Sequence, residues 1–411
     1  MVDLKTNVKY LIVRIYFLFV LFLYTYSRGV NTGVLYARRA IILFFISAIM
    51  YLLYYFEIKK YKIFKKMEAF DIIVICLIGY IMFSTVLYPR SLVTNLNISI
   101  MTSLMYLVIK VFQYEANKKG LDIVLNKYKF VFDTFILFIF LSTIVACLYE
   151  FWGIKLFDIP DTFRFKRAQS WFNNSTVYGI NIVIAMSFVY NKYKENKNKV
   201  FIPLLVWFGY WLLMAGGRTG VIVLVVGIMI NLILRYRKKI IFISIPILLL
   251  ILGAYQYLYN HLMSNFLIFR RFEQGGLGSR DVKFFEVREL WNKQSLINQL
   301  FGSGTNFLRD EFSYSAHSGF LKLFFDNGLV FLVIYAIFVL IVCANYIILI
   351  RKVKDKKVKN FLITGLSLVV MFFVAETMII ITMSAIYDFA LLMLISGFPF
   401  IYRKSISLNS G

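Results

Sequence analysis

Apolar runs long enough to cross about 30 Å of hydrocarbon recur along the whole chain, and this recurrence leaves few folds open. In a bilayer core each backbone N–H and C=O must find its partner within the protein, so a succession of such runs folds as a bundle of transmembrane helices. Twelve runs are read, at 10–26, 38–56, 70–88, 98–113, 130–149, 173–190, 200–214, 219–234, 240–257, 328–350, 360–380 and 384–401. Composition agrees: 60% of the 411 residues are hydrophobic and 18% aromatic, more than a soluble core of this size needs. Lys5 and Lys9 precede the first run as in a signal peptide, but no small-residue cleavage site follows and further runs do, so it is read as the first span. The expected fold class is all-α and polytopic: about twelve helices in one transmembrane domain over residues 1–411, without a soluble domain or a strong repeat.

The polar linkers set the orientation. Every second one is rich in lysine, namely 57–69, 114–129, 191–199, 235–239 and 351–359 with both termini, and the positive-inside rule makes these cytoplasmic. Residues 27–37, 89–97, 150–172, 215–218 and 258–318 then face outward, and only 258–318 is long. The net charge of +25 is spread over all the inner linkers rather than gathered with aromatics on one face, which speaks for topology beside anionic lipid and against nucleic acid. Cys76, Cys147 and Cys343 lie within apolar runs and are odd in number; they are read as small hydrophobes, with no disulfide framework and no metal site.

Topology asks only for positive charge inside, yet arginine and lysine are sorted across the membrane. The inner segments hold 23 lysines and four arginines (Arg235, Arg237, Arg351, Arg403). The outer segments with the residues that border them hold twelve arginines (Arg28, Arg38, Arg39, Arg90, Arg164, Arg167, Arg218, Arg270, Arg271, Arg280, Arg288, Arg309) and five lysines. Positive charge outside opposes insertion, so something else must favour it. A guanidinium presents a planar, always-charged fork that grips phosphate or carboxylate through paired hydrogen bonds, where lysine is a point charge. An anionic ligand approached from outside accounts for the sorting; pairing with Asp158, Asp161, Glu273, Asp281, Glu286 and Glu289, or snorkelling to headgroups, is the bland alternative. The chain has no Walker-type loop, dinucleotide fingerprint or acidic metal-holding pair, so an enzyme built on it takes its energy from the substrate itself and needs no cofactor.

Three segments carry candidate chemistry. Residues 164–174 (Arg164-Phe-Lys-Arg-Ala-Gln-Ser-Trp-Phe-Asn-Asn) lead from an outer loop into a span, setting Arg164, Arg167, Asn173 and Asn174 at headgroup level, where they suit an anion or sugar; an interfacial anchor built on Trp171 is the other reading. Residues 214–220 (Met-Ala-Gly-Gly-Arg-Thr-Gly) form a hairpin so short that Arg218 sits at the outer mouth between two spans, with glycines 216, 217 and 220 allowing close backbone approach. In the loop 258–318, Ser279 is an N-cap for a helix bearing Arg280, Arg288 and Trp291, Gly302-Ser-Gly304 makes a turn, and Ser315-Ala-His317-Ser-Gly closes it.

The 34 residues from His317 to Ile350 would make one helix of about 51 Å, too long for a bilayer core, so a break is expected near Asn327-Gly328 with a short amphipathic helix over 318–326. A helix N-terminus and nearby arginines both disfavour imidazolium, which keeps His317 neutral and able to accept a proton; a structural hydrogen bond is the plainer role. His261 lacks that setting and is read as structural. Glu376 and Asp388, near the outer ends of the last two spans, are candidate counterions for the arginines.

In this order the features resemble the O-antigen ligase and polymerase (Wzy-type) family of bacterial surface polysaccharide enzymes, from about residue 160 to 335. The resemblance rests on 164–174, on Gly216-Gly-Arg-Thr-Gly220, on Ser279-Arg280 opening a Trp-containing helix, on Gly302-Ser-Gly304, and on Ala316-His317-Ser-Gly-Phe-Leu-Lys-Leu-Phe-Phe-Asp-Asn-Gly328. It implies that Arg218, Arg280 and His317 are catalytic, with Arg164, Arg167, Asn173, Asn174 and Arg288 binding substrate. It further implies metal-independent transfer of glycan from an undecaprenyl-diphosphate-linked oligosaccharide to the sugar hydroxyl of a second lipid-linked unit, outside the bacterial cytoplasmic membrane, beside a flippase and a chain-length regulator. Ser318 stands where the family usually has asparagine, and Gly216-Gly217 where it usually has serine. Transfer to another acceptor, as by a ligase, and flipping of the lipid-linked oligosaccharide are the competing readings; repeated halves and midplane charge would mark a transporter.

The lysine rule has a direct test. Single cysteines at Asn117 and Asn196 of a cysteine-free variant are expected to resist a membrane-impermeant maleimide in intact cells, and one at Lys293 to react. Labelling of the first two from outside would reverse the orientation.

Overall fold

The computed structural model describes residues 13–22, 67–88, 92–154, 170–172, 175–215, 218–236, 288–304, 319–378 and 386–407, with positions 11, 49, 156 and 307. Among them every regular element is helical. The helices are α1 (Ala69–Leu87), α2 (Leu92–Lys119), α3 (Leu121–Trp152), α4 (Ser175–Asn196), α5 (Phe201–Met214), α6 (Arg218–Tyr236), α7 (Leu296–Phe301), α8 (Gly319–Lys352), α9 (Lys356–Met378) and α10 (Ile386–Ser407). Residues 13–22 and 288–293 are helical too. Four stretches, Leu121–Trp152, Thr219–Tyr236, Leu323–Lys352 and Lys356–Glu376, are long and apolar enough to cross a bilayer; Val13–Phe22, Ala69–Ser84, Phe201–Met214 and Ala390–Arg403 are shorter apolar helices. The chain is an α-helical membrane protein. The expected spans at 38–56, apart from position 49, and at 240–257 lie outside the described residues.

One difference from the sequence reading concerns 114–129, expected as a polar linker. Here α2 runs on to Lys119 and α3 starts at Leu121, with only Gly120 between them, at φ +92° and with its N–H bonded to Ala116 O at 3.1 Å. The reason is local. Glu, Ala, Lys, Leu and Gln are good helix formers, so both helices continue beyond their apolar stretches until a left-handed glycine ends the first.

The chain divides into two compact units, residues 1–47 with 126–275 and residues 48–125 with 276–411. In the second, α2, α1, α8, α9 and α10 form, in that order, a closed ring in which each helix packs on the next and α10 returns to α2, while α7 lies on α8. Small residues set the closest approaches: a Cβ on Gly397 would meet Ile109 at 2.6 Å, and one on Gly365 would collide with the Tyr346 hydroxyl. Tyr346 is fully buried and donates to Ile395 O at 2.6 Å, tying α8 to α10. Phe70 stacks on Phe400 at 4.2 Å. The outward faces are as apolar as the inward ones: Leu329, Val333, Ile337 and Leu340 of α8 are exposed at near-helical spacing, as are Ile72, Ile75, Met82 and Val86 of α1. Lipid, not water, is the solvent for such stripes.

The first unit packs α4 against α5 and α6. Phe132 of α3 stacks on Phe188 of α4 at 3.9 Å, and a turn away Lys129 pairs with Glu195 at 2.8 Å and Lys192 with Asp133. With 129 and 133 on α3 answering 195 and 192 on α4, the two pairs fix an antiparallel register. Trp207 Nε1 donates to Thr143 Oγ1 at 2.7 Å, joining α5 to α3.

The second unit also buries an ion pair. Lys110 Nζ of α2 lies 2.5 Å from Asp71 Oδ1 of α1, their side chains 3% and 2% exposed, and the ammonium lies 5.4 Å from the centroid of the Tyr106 ring. The second Asp71 oxygen accepts from Glu68 N–H at 2.9 Å, completing a capping box at the start of α1. Asp71→Asn strands a buried ammonium and is expected to cost about 3–5 kcal/mol. Adding Lys110→Met should recover more than half of the fall in melting temperature, read by thermal denaturation in detergent; no recovery would mean that the loss does not come from an unpaired ammonium.

Candidate functional site

Residues 302–304 meet the first part of α8 in a backbone-on-backbone clasp, and it is built from glycine. As its length required, α8 is two helices joined at a kink: at Gly328 the backbone takes φ +79° and ψ +176°, a region essentially reserved for glycine. A broken helix frees carbonyls of its last turn. Two of them are satisfied by the Gly302-Ser-Gly304 turn, for Ser303 N–H donates to Phe325 O at 2.7 Å and Gly304 N–H to Asp326 O at 3.1 Å. Gly302 and Gly304 stand at φ +90° and +92°. The approach leaves no room for side chains: a Cβ on Gly302 would collide with Asp326 O, and one on Gly328 with Leu300 O.

Helix α1 and Tyr88, the residue that caps its C-terminus, hold the clasp from one side. Tyr80 donates its hydroxyl to Asn327 O at 2.5 Å, and Tyr88 donates to Gly302 O at 2.5 Å and to Asn298 Oδ1 at 3.2 Å. Phe83 meets Phe301 edge to face at 5.6 Å. Beside it the loop has a small core of its own. Trp291, in the helical stretch 288–293, stacks on Phe324 at 4.1 Å and meets Phe325 edge-on, while Leu290, Phe307 and Leu321 close around Phe325. Gln294 Nε2 donates to Ser303 Oγ at 2.8 Å, and Ser295 caps α7 by accepting from Asn298 N–H.

The hairpin arginine has its own backbone setting in the first unit. Arg218 is the first residue of α6, and two residues on, a Cβ at Gly220 would meet Leu212 at 2.9 Å and the Gly179 backbone at 3.2 Å. The close approach expected of this glycine is therefore present, seating the first turn of α6 against α4 and α5. The side chain at 218 is outside the described part, as are Arg164, Arg167, Asn173, Asn174, Arg280 and His317; the chain is described again from Gly319, two positions after His317. Arg288 is exposed on the helical stretch 288–293. Of the eight expected site residues, only Arg288 has a described side chain, so no two of them are assembled among the described residues. Glu376 is fully buried in α9; Asp388 lies in the first turn of α10. Sequence reasoning does not single out Tyr80, Tyr88 or Asn298, although the spacing of Tyr80, Ser84 and Tyr88 at i, i+4 and i+8 on a span is a visible polar stripe. Among the described residues no group of three or more His, Cys, Asp or Glu is gathered as metal ligands. Compared with family models and with curated proteins, the sequence matches none.

Two glycines separate strain from contact. Gly120→Ala places Cβ in open space and suffers only from its left-handed backbone, about 1–2 kcal/mol, whereas Gly328→Ala adds the collision with Leu300 O to that strain. Thermal denaturation is expected to show the larger loss for Gly328→Ala, together with faster hydrogen exchange over 296–304; equal losses would mean that the clasp is not tight.

Proposed function

We propose that this protein crosses the bacterial cytoplasmic membrane twelve times, both termini inside, and polymerises polysaccharide repeat units on the outer face. Its donor is an undecaprenyl-diphosphate-linked glycan and its acceptor a hydroxyl of a second lipid-linked unit, as in O-antigen or capsule synthesis. The sorting of arginine outward against lysine inward carries this reading, because a diphosphate at the outer headgroup level is a ligand that gives a use to forks placed against the positive-inside rule. The motif order from 164 to 328 adds to it.

The chemistry is a displacement at the sugar's anomeric carbon. The acceptor oxygen bonds to that carbon as the bond to the diphosphate oxygen breaks. His317 takes the acceptor's proton, and the electron pair leaves with undecaprenyl diphosphate. Arg218 and Arg280 hold the diphosphate and stabilise the charge that gathers on it, the largest electrostatic demand of the step. Arg164, Arg167 and Arg288, with Asn173 and Asn174, bind the donor and its sugars, and the lipid tail enters sideways between spans.

Purified protein in liposomes, given a lipid-linked repeat unit and no nucleotide sugar, is expected to lengthen the glycan. Transfer to a different acceptor would make it a ligase, and movement across the bilayer without new bonds a flippase. His317→Ala, Arg280→Ala and Arg218→Lys should each insert normally and lose elongation by on the order of a hundredfold or more. Long polymer persisting in any of the three would remove that residue from the mechanism, and persistence in all three would end the proposal.

A further inference from the structure

We propose that α7 is an interfacial helix: Leu296 and Ile297 lie among lipid acyl chains where hydrocarbon gives way to headgroups, and they carry the turn 302–304 at that level. Nothing in this depends on the function proposed above or on which leaflet is concerned.

Three observations converge. First, α7 is inside out for a helix in water. Its polar residues turn to protein, for Asn298 Oδ1 accepts from the Tyr88 hydroxyl at 3.2 Å and Gln299 Nε2 donates to Trp291 O at 3.0 Å. Its first two apolar residues turn away, Leu296 at 69% and Ile297 at 65% exposure, and stay out of the small core that gathers around Phe325. A surface helix in water shows the opposite arrangement, and a helix bedded in the plane of a membrane interface shows this one.

Secondly, the exposed pair prolongs a surface that already faces lipid. Met82, Phe83, Val86 and Leu87 are exposed over the last turns of α1, Val86 at 78%. Phe301 stands four residues after Ile297, on the same face of α7, and it meets the Phe83 ring edge to face at 5.6 Å. One half of the apolar face of α7 is thus laid on the α1 stripe, and the other half continues it. Acyl chains that cover the stripe reach Leu296 and Ile297 with no further partner.

Thirdly, the level agrees. Helix α1 has 19 residues and so a length of about 28 Å, close to the thickness of a hydrocarbon core. Tyr88, its C-cap, donates to Gly302 O at 2.5 Å as well as to Asn298, and this holds α7 at the end of α1, where that core stops.

The test uses the full-length protein in liposomes, with Cys76, Cys147 and Cys343 changed to alanine and one nitroxide-labelled cysteine at a time. Ile297→Cys and Leu296→Cys are compared with Val86→Cys on the α1 stripe and with Lys293→Cys, an exposed position just before α7. Power saturation reads collisions with oxygen, which concentrates in hydrocarbon, and with a water-soluble nickel chelate. The oxygen-to-nickel ratio at 297 and 296 is expected to match that at 86 and to exceed that at 293 severalfold. A ratio at 297 as low as at 293 would put the pair in water and overturn the proposal; few collisions with either reagent would mean that protein covers the pair, and would overturn it too. In the chain with its native cysteines, a benzophenone side chain at 297 is expected on illumination to add the mass of a phospholipid. Crosslinking to a second copy of the chain instead would replace the lipid contact by an interface between copies.

Discussion

A helix that breaks within a packed bundle frees carbonyls that its own chain no longer satisfies, and part of the second unit is organised around that need. Gly328 breaks α8, and the carbonyls of Phe325, Asp326 and Asn327 find Ser303 N–H, Gly304 N–H and the Tyr80 hydroxyl. Each solution depends on the others. The turn reaches Phe325 and Asp326 only because Gly302 and Gly328 present no Cβ, and the phenol reaches Asn327 only because α1 and α8 pack side by side. A side chain at either glycine, or a gap between α1 and α8, would leave buried acceptors unpaired, each at a cost comparable to a lost hydrogen bond or more.

The same constraint governs the rest of the packing. Between apolar helices in lipid there is no hydrophobic gain from leaving water, so association draws on close van der Waals approach and on polar bonds. Gly365 beneath Tyr346, Gly397 against Ile109 and Gly220 against Gly179 supply the first; Tyr346 to Ile395 O and Trp207 to Thr143 supply the second. The buried Lys110–Asp71 pair is a more costly device, because two charges are desolvated to make one contact, and what it adds is register between α1 and α2 rather than net affinity. By contrast the paired Lys129–Glu195 and Lys192–Asp133 contacts keep one or both partners partly exposed, so they gain less and cost less.

Features governed by length and local backbone were legible in the sequence. The stretch from His317 to Ile350 was too long for a straight span, and Asn327-Gly328 was the one place in it suited to a break; the break is there. Gly302-Ser-Gly304 read as a turn and is one. Features that join distant residues were not legible. Lys110 with Asp71, Tyr80 with Asn327 and Tyr88 with Gly302 connect positions far apart in the chain, and a lone polar residue in a span carries no mark of its partner. Nor was the extension of α2 and α3 through 114–129, because hydropathy reports where lipid ends and helix propensity decides where the helix does. The arginines and histidine of the candidate site were found from charge sorting and motif order, and those signals name residues without fixing the geometry between them.

The proposed reaction brings its energy in the donor's phosphoester linkage, so what falls to the protein is geometry. It must present one acceptor oxygen to one anomeric carbon with a base beside it. Orientation of that kind is worth several kcal/mol of barrier, and it is lost when the groups concerned drift by an ångström.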